Sequence, residues 1–208
     1  MRTSTPCLRA VPAVDSGPIR RTEDPDLAEL VRQPWTLQVG AQTLLVRPSS
    51  ARDLAAVARL HARCSARSLL DRYRCGGRPP AVAAMDRDLR RTNSVVVLTT
   101  QGDVVATGLL DRDALHNHLC AEVALLVDDQ WQRLGIGTEL MSHLAGVAQV
   151  AGYHELIAYP ATAVAAAQRL MVDIGRTRMV PDINAHLHTY LPESAMLGLG
   201  SVRQRLAG

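Results

Sequence analysis

The stretch that decides the fold is AEVALLVDDQWQRLGIGTEL, residues 121–140. It continues an apolar run from Leu119 to Val127, which predicts a strand buried on both faces. A polar turn follows, and Gly135 and Gly137 then lead into a segment with apolar residues at helical spacing. This order predicts a backbone site for an anion, because glycine lets a ligand approach closely and the free N–H groups of a first helical turn favour negative charge. A pyrophosphate group fits such a site.

Two glycines before a helix also occur at ordinary helix starts, so the neighbouring residues decide between the two interpretations. The run Gln132–Gly137 reads QRLGIG and resembles motif A of the GCN5-related N-acetyltransferases (GNATs), whose pattern is Gln or Arg, two residues, Gly, one residue, and Gly or Ala. The flanks agree, with Trp131 before the motif and Thr138 entering an amphipathic helix. Upstream, residues 47–54 (RPSSARDL) are similar to the family's first strand and helix entry. The resemblance extends over residues 44–191.

The resemblance implies acetyl-coenzyme A (acetyl-CoA) as the co-substrate. In GNATs the loop amides hold the coenzyme A pyrophosphate, and the end of the preceding strand separates from its neighbour and pairs with pantetheine. By resemblance, the amides from Arg133 to Thr138 take the pyrophosphate and the end of the strand takes the pantetheine. The implied cofactor-binding residues are Leu125, Leu126, Val127, Gln132, Arg133, Leu134, Gly135, Ile136, Gly137 and Thr138.

Glu122 is the candidate general base, and it is the single charge in the predicted apolar strand. Burying an unpaired carboxylate is costly, and burial raises its pKa toward the range in which a base works at neutral pH. A lysine-like acceptor is protonated in water and must lose a proton before it attacks the thioester. Bacterial protein lysine acetyltransferases with a similar Ala-Glu-x-Ala strand use such a Glu. An ion pair with one of the many arginines is the alternative role.

The last predicted helix departs from the family pattern. Many members carry an Asn early in this helix and, about four residues before its closing Gly, a Tyr that protonates the leaving thiolate. Residues 161–175 (ATAVAAAQRLMVDIG) contain no Asn, and Met171 stands at the Tyr position. The general acid is therefore unassigned, with Tyr159, water and unassisted release of the thiolate as the alternatives. The missing residues also leave open a second function, a catalytically weak acyl-CoA-binding sensor or protein-interaction module.

The enzyme hypothesis is transfer of an acetyl group to a primary amine, which is a protein lysine, an N-terminus or a small molecule. Residues 52–91 contain ten arginines and four aspartates, a charge of +6. This segment indicates either a solvated helical face or a surface for an acidic substrate or partner. The net charge of the whole chain is only +3, so we expect no nucleic-acid partner.

The remaining segments predict an α+β (mixed α/β) protein with a GNAT-like, mostly antiparallel, twisted central sheet flanked by helices. Gly175 is expected to end the last helix as a C-cap. Alternation and turn residues predict strands, and helical spacing predicts helices. The predicted strands are 35–39, 43–47, 94–100, 104–110, 119–127, 155–159, 177–180 and 186–191, and the predicted helices are 53–63, 65–73, 81–90, 135–152 and 163–174.

Composition divides the chain into three parts. Residues 1–33 are rich in proline, charge and small residues and predict a partly flexible extension. Residues 34–192 form the predicted acetyltransferase domain, and residues 193–208 form a C-terminal tail. No apolar run approaches the roughly 20 residues of a membrane span, so we expect a cytoplasmic protein without a membrane partner. A homodimer is left open.

No metal is expected from the spacing of the cysteines and histidines. The four cysteines contain no C-x-x-C pair, and reduced thiols are the default expectation. His116 and His118 precede the Glu122 strand, and His186 and His188 lie in the last predicted strand. Loop or edge-strand histidines are the plainer interpretation.

Overall fold

The computed structural model describes residues 32–74, 77–113, 115–116, 119–181 and 185–192. Within them, one eight-stranded sheet is flanked by five helices, which confirms the predicted mixed α/β fold. The predicted extension, apart from its last two residues, and the predicted tail lie outside the described residues. In chain order the elements are β1 Trp35–Val39, β2 Gln42–Pro48, α1 Leu54–Arg63, α2 Ala66–Tyr73, α3 Val82–Leu89, β3 Ser94–Leu98, β4 Val104–Arg112, β5 Cys120–Val127, α4 Ile136–Val150, β6 Glu155–Ala158, α5 Val164–Val172, β7 Arg176–Val180 and β8 His186–Tyr190.

The strand order is β1-β2-β3-β4-β5-β6-β8-β7, and every neighbouring pair is antiparallel except β5 and β6. The exception follows from the chain path, because β5 returns to β6 through the crossover helix α4, and such a crossover joins parallel strands. The two parallel strands share a short ladder, in which Cys120–Glu122 pair with Glu155–Ile157. On its other edge, β5 pairs with β4 along Ala121–Val127.

The sheet has an apolar core on each face. One core, here called the α4-face core, includes Leu140 and Leu144 of α4, both fully buried. The other, the α1-face core, includes Val57 and Leu60 of α1 together with residues of α2 and α3. Because successive strand residues point to opposite faces, β5 gives Ala121 and Val123 to the first core and Leu126 to the second. In the described ranges, no helix combines the length and apolar character needed to cross a membrane.

Asp53 precedes α1 as predicted, but its side chain does not cap that helix. The carboxylate turns back instead, accepting hydrogen bonds from the Ser50 amide at 2.8 Å and from two Arg47 guanidinium nitrogens at 2.6 and 2.9 Å. It thereby joins the end of β2 to the turn that enters α1. A guanidinium is a stronger partner for a carboxylate than a backbone amide, which accounts for the difference.

Gly175 does not have the role predicted for it. Helix α5 ends at Val172, and its C-cap residue is Asp173. Gly175 follows two residues later, and its φ angle does not lie in the left-handed region. The position requires glycine for space, because an added Cβ would lie 2.2 Å from the Tyr190 carbonyl oxygen on β8. The residue therefore permits a close approach between two segments of backbone.

Candidate active site

The sheet opens between β5 and β6. Their shared ladder ends at Glu122 and Ile157, after which β6 continues only to Ala158 while β5 continues to Val127. Among the described residues, the last five positions of β5 have a strand partner only on the β4 side. The family resemblance implied pantetheine at Leu125–Val127, and this segment has a free strand edge among the described residues.

The loop between β5 and α4 presents its backbone to solvent. Arg133 and Gly135 have φ angles of 62° and 88°, both in the left-handed region. A Cβ added at Gly135 would meet no atom within 4 Å, so the loop is open on that side. The N-cap residue of α4 is Gly135, which has no side chain to cap the helix, and this leaves the first amides available to an anion.

The residues of this loop do not all face the same way. Residues 132–135 and Thr138 are exposed, whereas Ile136 is buried in the α4-face core. Ile136 can therefore contribute only its backbone to a ligand, and its side chain anchors the helix. Gly137 is partly buried against Leu170 of α5, 3.7 Å from the position that a Cβ would take.

Gln132 faces protein neighbours. Its Nε2 lies 3.0 Å from the Val127 carbonyl oxygen, 3.0 Å from Ser68 Oγ on α2 and 2.9 Å from Asp129 Oδ1. The Ser65 amide also donates to Asp129 at 2.7 Å. These contacts tie the loop to the start of α2, so Gln132 shapes the predicted cofactor site through its neighbours.

Glu122 lies on the face of β5 that it shares with Leu126, toward the α1-face core. Burial raises the pKa of the Glu122 carboxyl, the positive charge of Arg72 works against that rise, and Asp113, Asp111 and Asp88 add to it. Among the described residues, none donates a hydrogen bond to Glu122 or forms a salt bridge with it. Within the described ranges, the arginine ion pair considered as its alternative role is therefore not formed.

The model of the acetyltransferase (GNAT) family matches residues 65–175, more than half of the chain. The chain belongs to the GNAT acetyltransferase family. The matched residues run from the cap of α2 to the glycine that precedes β7, and they include Glu122, the open edge of β5 and the loop before α4. No curated protein matches the chain.

Solved structures share the fold of this GNAT. The GNAT domain of S. lividans PAT is 23% identical with a TM-score of 0.64, covering 76% of this chain and 97% of that one. A phosphinothricin acetyltransferase from Sinorhizobium meliloti, in complex with acetyl-CoA, is 21% identical with a TM-score of 0.56, covering 71% and 88%. A cAMP-binding acyltransferase from Mycobacterium smegmatis is 22% identical with a TM-score of 0.54, covering 86% and 54%.

Asp71 of α2 joins α2 to the start of α5 in this GNAT, a contact that no motif in the sequence predicted. Its carboxylate accepts hydrogen bonds from the backbone amides of Thr162 and Ala163 and from the Thr162 hydroxyl, the last two at 2.9 and 3.0 Å. Ala163 is the N-cap position of α5, so Asp71 acts as the acidic cap of a helix far away in the chain. An open groove of about 390 Å³ lies beside this contact, lined by Ala66, Arg67, Leu70, Gly77 and Thr162.

The structure separates the two positions considered for a general acid. Met171, at the position where many GNATs carry Tyr, is fully buried in the α4-face core. Tyr159 directly follows β6, and its hydroxyl donates to Asp113 Oδ2 at 2.7 Å. Burial raises the pKa of the Asp113 carboxyl, but hydrogen bonds from Tyr159, His116 and the Leu115 amide outweigh it and lower the pKa overall. Asp113 is thereby held as an anion beside Tyr159.

Much of the positive charge of residues 52–91 is neutralised by aspartates. In the described part of the chain, five of its ten arginines form salt bridges, and three of the partner aspartates lie outside the segment. Pairing of this kind favours the solvated-face interpretation over a surface for an acidic partner. The pairs are Arg59–Asp103, Arg63–Asp128, Arg72–Asp88, Arg90–Asp86, and Arg91 with both Asp88 and Asp111.

Three of the histidines noted in the sequence lie together, on the same side of the sheet as Glu122. The ring centres of His116 and His186 are 4.8 Å apart, and His188 lies 5.9 and 6.1 Å from these two rings. His118 lies outside the described residues. Spacing along the chain could not reveal this group, because the pairing of β6 with β8 brings its members together.

Proposed function

We propose that this GNAT transfers an acetyl group from acetyl-CoA to a primary amine by direct attack, with both substrates bound together and Glu122 as the general base. One observation carries the proposal. Glu122 occupies the last position at which β5 and β6 pair, so its carboxylate lies where the sheet opens. Holding an amine next to a thioester in one site supplies much of a rate enhancement through proximity.

The chain's own residues fit acetyl-CoA at two places. The exposed amides from Arg133 to Thr138 suit the pyrophosphate, because α4 begins there without a side-chain cap among the described residues. The free edge of Leu125–Val127 suits the amide groups of pantetheine, which pair with backbone as a further strand would. When bound, acetyl-CoA supplies an activated acetyl thioester. The family membership and the acetyl-CoA complex of the S. meliloti acetyltransferase support this assignment.

Glu122 then acts on the acceptor. An amine such as lysine is protonated at neutral pH, and its lone pair becomes available only after a proton is lost. Glu122 takes that proton, and the raised pKa of its carboxyl suits a base near neutral pH. The nitrogen forms a bond to the carbonyl carbon as the bond to sulfur breaks, and coenzyme A leaves as its thiolate. The nitrogen loses its second proton to solvent, from which the thiolate takes a proton. A backbone amide at the Val127 end of β5 stabilises the charge that develops on the oxygen.

We propose a protein lysine, an N-terminus or a small amine as the acceptor, residues 34–192 as the acetyltransferase domain, and the cytoplasm as its location. A sensor that binds acyl-CoA without efficient turnover is the second candidate. The burial of Met171 favours it, because no tyrosine can protonate the leaving thiolate from that position.

Replacing Glu122 with Gln tests the base. We expect E122Q to lower kcat by about 10²-fold or more, in the range that one acid–base group contributes, while the Kd for acetyl-CoA changes less than about twofold. Release of free coenzyme A would be followed with lysine peptides, N-terminal peptides and small amines.

Asp103→Asn is the matched control, because Asp103 is exposed and its salt bridge with Arg59 is long, at 3.9 Å. An E122Q variant with the kcat of the wild type would show that Glu122 is not the base. Tight binding without turnover of any amine would favour the sensor.

A further inference from the structure

Three potential metal ligands meet on adjacent strands, outside the residues assigned to acetyl transfer. Cys120 of β5 pairs with Glu155 of β6, and paired residues of parallel strands share a face of the sheet. His188 of β8 pairs with Ile157, two residues from Glu155, and therefore points to the same face. One ligand atom from each of the three residues lies within 4.8 Å of the other two. The three backbones are held by one sheet, so the ligands are placed by rigid elements.

The contacts within this group are close. Cys120 Sγ donates to Glu155 Oε2 at 2.9 Å, and His188 Nε2 lies 2.7 Å from the same oxygen. Cys120 is fully buried and His188 is 6% exposed, whereas the Glu155 side chain is 20% exposed. The ring of His188 stacks on Tyr190, with ring centres 4.8 Å apart and planes 13° from parallel, which fixes its orientation. The partly exposed carboxylate gives an ion a path from solvent.

Two further imidazoles lie beside the group. The rings of His116, His186 and His188 are separated by 4.8 to 6.1 Å. Two imidazoles on one zinc ion, with Zn–N distances of about 2.0–2.1 Å, have ring centres roughly 5 Å apart. His116 also contacts a carboxylate through one ring nitrogen, since its Nδ1 lies 2.9 Å from Asp113 Oδ1. A carboxylate that holds a metal-ligating histidine in this way is the usual outer support of a metal site.

We propose that Cys120, Glu155 and His188 form a binding site for a divalent transition metal ion of the Zn²⁺ type, with His186 and His116 as neighbouring imidazoles. Thiolate, carboxylate and imidazole are the donors that zinc takes in proteins, whereas calcium and magnesium prefer oxygen alone. One thiolate and one carboxylate carry the two negative charges that neutralise the ion. This balance permits the ion to be largely buried.

Metal binding replaces the hydrogen bonds of the group. The Cys120 thiol proton leaves to solvent as its sulfur binds the ion, and His188 Nε2 gives up any hydrogen it shares with Glu155, since a ring hydrogen can reside on Nδ1 instead. Ligands around a tetrahedral zinc ion lie roughly 3.3–3.8 Å apart, given bonds of about 2.0–2.3 Å. The two contacts of 2.7 and 2.9 Å must therefore lengthen by less than about 1 Å, which side-chain rotation can supply.

Cobalt titration of the full, chelator-treated chain tests the site, because Co²⁺ occupies zinc sites and bound thiolate gives it a charge-transfer absorption. We expect one Co²⁺ per chain with that absorption, displaced by Zn²⁺, and an increase in Tm on adding either ion. Cys120→Ser should abolish the thiolate absorption, while the matched control Cys64→Ser, at the other buried cysteine of the described residues, should retain it. His188→Gln should weaken Co²⁺ binding at least about tenfold.

Two results would overturn the proposal. One is the absence of saturable Co²⁺ or Zn²⁺ binding by the wild type, which would leave Cys120, Glu155 and His188 as a hydrogen-bonded group only. The other is binding with thiolate absorption that persists in folded Cys120→Ser, which would place the ion at another cysteine. Circular dichroism of each variant verifies that the chain is folded. The titration needs no acetyl-CoA, so its outcome is independent of the proposed acetyl transfer.

Discussion

Glu122 and Ile157 form the last pair that β5 and β6 share. Ile157 is fully buried, and β6 ends one residue later, while β5 continues for five residues beyond Glu122. One register therefore places a carboxylate at the point where the sheet opens and leaves the backbone beyond it free on one edge. The proposed base and the proposed pantetheine site arise from the same strand.

Asp71→Ala should loosen the start of α5. The substitution removes the carboxylate that accepts hydrogen bonds from the Thr162 and Ala163 amides, and replacing such a cap with alanine costs about 0.5–2 kcal/mol. Hydrogen exchange should become faster at these amides and in the first turn of α5, and urea unfolding should show the loss. Asp86→Asn, which removes an exposed salt bridge with Arg90, is the control and should cost less than about 0.5 kcal/mol. Unchanged exchange at residues 162–163 would contradict the capping role.

Alanine at two glycines should have opposite effects on stability. A Cβ at Gly175 would lie 2.2 Å from the Tyr190 carbonyl oxygen, so Gly175→Ala must displace backbone and should cost about 1–3 kcal/mol. Gly137 lies in the first turn of α4, its nearest neighbour would be 3.7 Å away, and Gly137→Ala should stabilise by up to about 1 kcal/mol. Urea unfolding of both variants measures the two effects. Equal stability of the variants would contradict the close approach at Gly175.

The Arg47–Asp53 pair should make stability depend on pH. The hydrogen bond from Arg47 lowers the pKa of the Asp53 carboxyl below its ordinary value of 3.8, although burial opposes this, and the Ser50 amide adds to the lowering. A lowered pKa in the folded state gives stability that is present above 3.8 and is lost as pH falls through the folded value. Asp53→Asn should therefore cost about 1–3 kcal/mol at pH 7, and the cost should shrink at acid pH.

Urea unfolding of the wild type and Asp53→Asn between about pH 7 and about pH 2 measures this cost as the gap between the two free energies of unfolding. Asp103→Asn, with its exposed and distant partner, is the control and should show a gap close to zero at each pH. A gap for Asp53→Asn that stays constant across the range would contradict a stabilising role for the ionised carboxylate.

Local sequence was enough to predict most elements and the loop. The alternation of β1 and β2, the helical spacing of α1 and α4 and the two glycines before α4 are each encoded within a few residues. Contacts that depend on strand register could not be predicted in this way. Asp71 meets Thr162 only because α2 and the end of β6 lie together. Cys120 and His188 share the Glu155 carboxylate only because β6 lies between β5 and β8.

The side-chain roles within the loop were also beyond sequence reasoning. Motif A assigns Gln132 and Ile136 to the cofactor site as members of one run, but Gln132 contacts α2 and Ile136 lies in the α4-face core. A motif records which residues occupy a loop, whereas packing decides which side chains face the ligand. Gly175 is a further example, because glycine is needed there for the close approach to β8 and not for the end of the helix before it.

Calorimetric titration of acetyl-CoA into two Thr138 variants decides whether the loop before α4 binds the cofactor. Thr138 is exposed in the first turn of α4, where an acidic side chain stabilises a helix but repels a phosphate group. We expect the wild type and Thr138→Gln to bind one acetyl-CoA per chain with similar Kd values, and Thr138→Glu to bind at least about tenfold more weakly, a loss of about 1.4 kcal/mol. Equal binding by Thr138→Glu and Thr138→Gln, or no binding by the wild type, would contradict the assignment.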